Sequence, residues 1–144
     1  MSESGTGTGT GTAENPWRLR TPPRSSEYTI HRDDAAEPAL LVCQVGSTRL
    51  TYLARAIDDL QEMLLAHGDW IQLGAADELK TPAAGTVEAW ARSTDNPVGG
   101  WYGQKKGLRG RFAMYVPPLM ELLGLAELEH NARNNRMRAI SPSR

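Results

Sequence analysis

The sequence predicts a small α+β protein: a small antiparallel sheet or hairpins, two to three helices, and a winged-helix-like carboxy-terminal half. Three observations carry that expectation. Residues 53–67 repeat Leu53, Ile57, Leu60 and Leu64 at helical spacing. Residues 39–45 form a continuous apolar run, ALLVCQV, which meets Gly46-Ser47 and then a second strand-like stretch. Residues 126–139 alternate apolar and charged side chains on both sides of an Asn-rich turn. A stripe near period 3.6 marks a helix with one buried face, and strict alternation marks a half-buried strand.

With 144 residues, 40% hydrophobic and 23% charged, the chain suits one domain with its own core. The expected division is a disordered Gly/Thr- and Pro-rich tail over 1–26 and one α+β domain over 27–140, of which 96–140 is the winged-helix-like half. Cys43 is the single cysteine, which excludes an intramolecular disulfide and a multi-cysteine zinc site and fits a reducing compartment. No apolar run approaches the roughly 20 residues of a membrane span, and the amino terminus lacks a basic segment followed by an apolar one. The expected location is cytoplasmic.

Taken in order, residues 1–15 begin MSESGTGTGTGT, with no side chains able to offset the entropy of ordering them. Residues 15–26, NPWRLRTPPRSS, are extended, and Trp17 there docks either on its own domain or on a protein partner. EYTIHRD at 27–33 alternates as a strand does, and Gly46-Ser47 closes a tight hairpin between 39–45 and 48–52. The helix over 53–67 is expected to end at Gly68, with Arg55 and Asp59 as an i,i+4 ion pair and the acidic run on a solvated face. Residues 69–74 suit a strand end. Residues 86–93 fit either a helix capped by Thr86 or a strand, and Gly85-Thr86 before Glu88 favours the helix. Leu108, Phe112, Val116, Leu119 and Leu123 then recur at helical spacing, with Gly124 as the C-terminal cap. Pro117 and Pro118 either kink that helix or open a new one in its first turn.

The last hairpin fixes its own register. A turn over 131–134 sets Leu128 against Met137 and Ala126 against Ala139 on one face, with Glu127 against Arg138 and Glu129 against Arg136 on the other.

Functional chemistry concentrates in residues 98–111, VGGWYGQKKGLRGR, which hold five glycines, two adjacent aromatics and four cations. Glycines let a backbone approach an anion, cations neutralise it, and aromatics stack on bases. The expected nucleic-acid or anion-binding residues are Trp101, Tyr102, Lys105, Lys106, Arg109 and Arg111, with Arg133 from the hairpin turn. The spacing matches neither the P-loop nor the dinucleotide fingerprint. The same composition also suits a surface turn with buried aromatics and solvated cations. Charge is uneven: residues 96–144 hold eight basic and three acidic side chains and residues 55–95 hold three and eight, so +5 follows −5. That asymmetry marks either a polyanion-binding face or two segments that neutralise each other on folding.

His31, His67 and His130 lack a metal-ligand spacing, and no nucleophile motif appears, so no metal, cofactor or catalytic residue is expected. A carboxylate and a histidine meeting in one pocket would be the sign of an enzyme. The stretches NPWRLRTPP, NPVGGWYG, RGRFAMYVPP, LGLAE and HNARNNRMRA resemble an uncharacterised family of small actinobacterial proteins over most of residues 14–140. The resemblance implies a cytoplasmic bacterial protein and carries no activity. The sequence-based expectation is non-specific nucleic-acid or polyanion binding through the Gly-rich cationic loop. The alternative is a protein-interaction module without nucleic-acid binding.

Overall fold

Four antiparallel strands meander through the first third of the chain in the order β1-β2-β3-β4: Trp17–Arg20, Glu27–Asp33, Leu40–Val45 and Thr48–Leu53. Helix α1 follows at Ala56–His67, then the short strand β5 at Ile71–Gln72 and helices α2 at Val87–Trp90, α3 at Phe112–Tyr115 and α4 at Pro117–Leu122. Strands β6, Ala126–Leu128, and β7, Arg136–Ala139, close the chain, and β7 lies between β5 and β6 in a second, three-stranded sheet. The architecture is α+β. This computed structural model describes residues 9–140, so the disorder expected of residues 1–8 lies outside the described residues.

The first sheet starts earlier than position 27. Trp17 pairs with Ile30 and Arg20 with Glu27, because WRLR alternates as a strand does, with Leu19 buried beneath exposed Arg18 and Arg20. Its prolines flank the strand instead of interrupting it, and they suit an edge position. The Gly/Thr segment also joins this edge, since Arg32 donates its backbone N–H to the Gly11 carbonyl at 2.8 Å. Any side chain at position 11 would collide with the Trp17 indole.

Strand β3 is buried at Leu41, Val42 and Cys43, as a continuous apolar run in a central strand demands. Cys43 is fully buried, and burial pushes its thiol well above the ordinary cysteine range. Leu53, expected at the head of α1, instead ends β4 opposite Leu40. Its N–H is taken by the Tyr102 carbonyl at 2.9 Å. Gly68 caps α1 in a left-handed conformation, and Arg55 holds Asp59 at 2.8 Å. Asp59 is nonetheless only 9% exposed, so the acidic run is not a uniformly solvated face.

The expected helix through Leu108 begins only at Phe112, and the prolines open α4 in its first turn. Leu125 N–H reaches the Met120 carbonyl and Gly124 N–H reaches that of Glu121, which is a complete Schellman motif. The last hairpin takes the expected register, Ala126↔Ala139, Glu127↔Arg138 and Leu128↔Met137. Tyr52, Tyr102 and Phe112 join Ile30, Leu41, Leu60, Leu64, Leu119 and Met137 in one apolar core.

Candidate functional site

The cationic loop begins where the core ends. Tyr102 is fully buried and stacks on Trp90 at 5.1 Å. Its hydroxyl donates to Asp59 at 2.7 Å, and burial, helped by that carboxylate, pushes the phenol well above its ordinary range. A side chain so placed cannot stack on a nucleobase, which removes one of the seven expected surface residues. Trp101 is half-buried, with the guanidinium carbons of Arg92 and Arg109 each 4.5 Å from its ring centroid. The indole already has the cation contacts that a ligand would need to replace.

Arg109 is also engaged. Its guanidinium grips the Glu78 carboxylate in a fork, Nε to Oε1 at 3.0 Å and Nη2 to Oε2 at 2.9 Å. The backbone N–H groups of Gly107 and Arg109 donate to the same Oε1 at 2.9 and 2.8 Å. The Arg109 guanidinium and these amides hold the Glu78 carboxyl at about 2, against an ordinary value of 4.5. Gly-rich backbone and arginine therefore form a nest around a carboxylate. Its occupant is the chain's own Glu78. Gly110 lets the two segments approach, since a Cβ there would lie 2.5 Å from the Asp77 carbonyl carbon.

Arg111 sits in left-handed backbone conformation at the start of α3, with its guanidinium 4.0 Å from Asp77. Its N–H goes to the Ala76 carbonyl at 2.7 Å. Lys105 and Lys106 are exposed on the intervening turn. Arg133 is exposed on the hairpin turn and lines a different cleft, beside Ala113 and Met114. The structure thus brings Trp101 and Arg109 together, keeps Lys105, Lys106 and Arg111 on the same loop, and sets Arg133 in another cleft.

Sequence reasoning missed what these residues bind to. Glu88, 1% exposed, accepts from Arg92 at 2.7 Å and from the N–H groups of Ala113 at 2.9 Å and Phe112 at 3.3 Å. Burial pushes its carboxyl up, opposed by Arg92 and the Ala113 amide. Arg92 also donates to the carbonyls of Lys80 and Ala76, both at 3.0 Å. Glu88 and Arg92 stand four residues apart, the same signal that identified Arg55 with Asp59. Glu78 gave no local signal, because its partner lies 31 residues away.

The turn over residues 77–80 is consequently held from three sides: by Arg92, by the nest around Glu78, and by Asp77 Oδ1, which accepts the Lys80 N–H at 3.2 Å. At its tip Leu79 is 95% exposed. Beside it lies a cavity of about 390 Å³ lined by Val45, Leu50, Leu79, Leu108 and Tyr115, with Asp77 and Arg111 among its polar residues.

Elsewhere, a carboxylate and a histidine do meet. His130 Nε2 lies 2.7 Å from Glu121 Oε2, and its Nδ1 lies 2.9 Å from the Pro22 carbonyl oxygen. Both ring nitrogens are already engaged by oxygen atoms of the protein. The imidazole acts as a strut joining the segment after β1 to α4. Among the described residues no three of His, Cys, Asp or Glu converge as a metal-ligand set, and no helix is long and apolar enough to cross a membrane.

No curated protein and no solved structure matches the chain. A family model does, over residues 9–140, a span that takes in both sheets, the nest and the Leu79 turn. The chain belongs to DUF6855, a family of unknown function.

Proposed function

We propose that the protein is an interaction module that engages a protein partner through Leu79 and the adjoining cavity. The observation that carries this reading is the combination of an almost wholly exposed leucine with a turn fixed by several hydrogen bonds. Binding through a flexible loop loses ordering entropy on association; a leucine already fixed in place avoids most of that cost. The apolar lining beside it, Val45, Leu50, Leu108 and Tyr115, offers area for a partner's side chain, and the rim carries both an acidic and a basic group. A partner of matching shape, with an apolar centre and mixed charge around it, fits this face. Such a module would work in the actinobacterial cytoplasm that the sequence resemblance implies.

The test is a photo-crosslinking residue at position 79, compared with one at Leu65, another exposed hydrophobic position. One discrete adduct from position 79 in the host cell, persisting in high salt and absent at Leu65, is the expected result. Equal labelling from both positions would sink the reading.

A second reading is polyanion contact, favoured by the adjacent exposed Lys105 and Lys106 with half-exposed Arg111 on the same loop. These suit sequence-independent contact with phosphates. A winged-helix docking mode adds little to it, because α4 buries Pro117, Pro118, Leu119 and Met120 and carries Glu121, a poor set for a phosphate-lined groove. The variant to compare in anisotropy with random duplex DNA is Lys105→Ala/Lys106→Ala, since replacing Arg109 would also open the Glu78 nest. Salt-sensitive binding that loses slope in this variant supports polyanion contact; absence of binding at low salt removes it.

A further inference from the structure

A second cavity, of about 420 Å³, lies between β1, the turn that follows it, and α4. Leu19, Pro118 and Leu122 supply an apolar lining, and Arg20, Arg24, Glu121 and His130 supply the polar groups. These polar groups differ in how they are partnered. Arg20 pairs with Glu27 at 3.2 Å and Glu121 with His130 at 2.7 Å, whereas Arg24 is exposed and has no partner among the described residues.

The backbone at Arg24 adds a second, independent observation. Its φ is +63°, in the left-handed region where a side chain is disfavoured and glycine is not. Its N–H closes the turn onto the Thr21 carbonyl at 2.7 Å, a role that glycine would perform with less strain. The position therefore holds an arginine against local preference, and that arginine lines the cavity. Strained residues of this kind persist where another requirement fixes them.

We propose that this cavity binds one small monocarboxylate with an apolar body, the carboxylate on Arg24 and the body on Leu19, Pro118 and Leu122. Guanidinium and carboxylate match as a planar two-point pair, which an unpaired arginine at a half-apolar site is suited to make. His130 is a positioning residue here. Through Pro22 and Glu121 it ties the turn that carries Arg24 to the helix that carries the apolar wall. The single unpaired guanidinium matches one carboxylate as a two-point pair. The apolar wall separates such a ligand from inorganic phosphate.

The test uses the full-length protein and hexanoate as probe, following the Arg24 side-chain N–H and His130 ring C–H resonances by NMR. Wild type should show saturable shifts at both groups. Arg24→Gly should unfold no earlier than wild type, because the backbone strain is relieved, while hexanoate affinity falls about tenfold or more with the lost charge-assisted pair. Stability retained with affinity lost is the pattern that a purely structural arginine would not give. Shifts that never saturate, unchanged affinity in Arg24→Gly, or phosphate binding as tightly as hexanoate would each overturn the proposal.

Discussion

The carboxy-terminal hairpin and the cationic loop are both laced with ion pairs, but the pairs arise differently. In the hairpin, Glu127 meets Arg138 and Glu129 meets Arg136 because strand register places them opposite, and the Glu127–Arg138 side chains remain 49% and 45% exposed. In the loop, Glu78 meets Arg109 and Asp77 meets Arg111 across about thirty residues, while Glu88 and Arg92, four residues apart in sequence, lie almost out of solvent because Glu88 also receives α3 amides. The hairpin pairs, dictated by strand register, decorate a surface. Pairs assembled by the tertiary fold hold segments that have no regular structure of their own.

The largest test of that contrast is Glu88→Ala, which strands Arg92 and two α3 amides inside the protein. Breaking a buried pair from one side costs about 3–5 kcal/mol, so urea unfolding should show a loss of that size. Tyr102→Phe removes one donor from half-satisfied Asp59, leaving Arg55, and should cost about 1.5–3 kcal/mol in the same assay. Glu78→Gln sharpens the comparison through pH. The folded carboxyl sits at about 2 against an ordinary 4.5, so its contribution is complete above 4.5 and fades as pH falls towards 2. The variant should show a flatter loss of stability across that window, read by denaturant unfolding at successive pH values. At the small end, a double-mutant cycle on Glu127 and Arg138 should give about 0.5 kcal/mol or less and shrink with added salt.

The same division explains what was legible in the sequence. Alternation gave the register of β6 with β7 and the extent of β2, and Thr86 was readable as a cap because its hydroxyl's partners are local, the Ala89 N–H at 3.2 Å and the Ala83 carbonyl at 2.7 Å. Trp17 was harder. Prolines around it suggested a tail, although WRLR has the alternation of a strand and pairs along β2. The loop's composition suited either anion contact or a surface turn with solvated cations, and Glu78 sits in a stretch, AADELK, without periodicity. Its assignment needed the fold to bring residue 78 against residue 109. The unequal charge of the middle and last segments had the same origin in part, since Asp77 and Glu78 lie in one and Arg111 and Arg109 in the other. His130 and Glu121 are nine residues apart with no shared element, so only the packing of α4 beside the hairpin joins them.

Arg92 has a consequence for how the molecule opens. One guanidinium reaches Glu88 on α2, the carbonyls that carry the Leu79 turn, and the face of Trp101 at the head of the cationic loop. These three segments span residues 76–101 with little regular structure to hold them separately. Releasing any one of them breaks contacts to the others, so they should exchange amide protons as a single unit with a common opening rate, distinct from the slower unit formed by β2, β3 and β4. The Leu79 turn and the loop behind it would then be mobile together or still together.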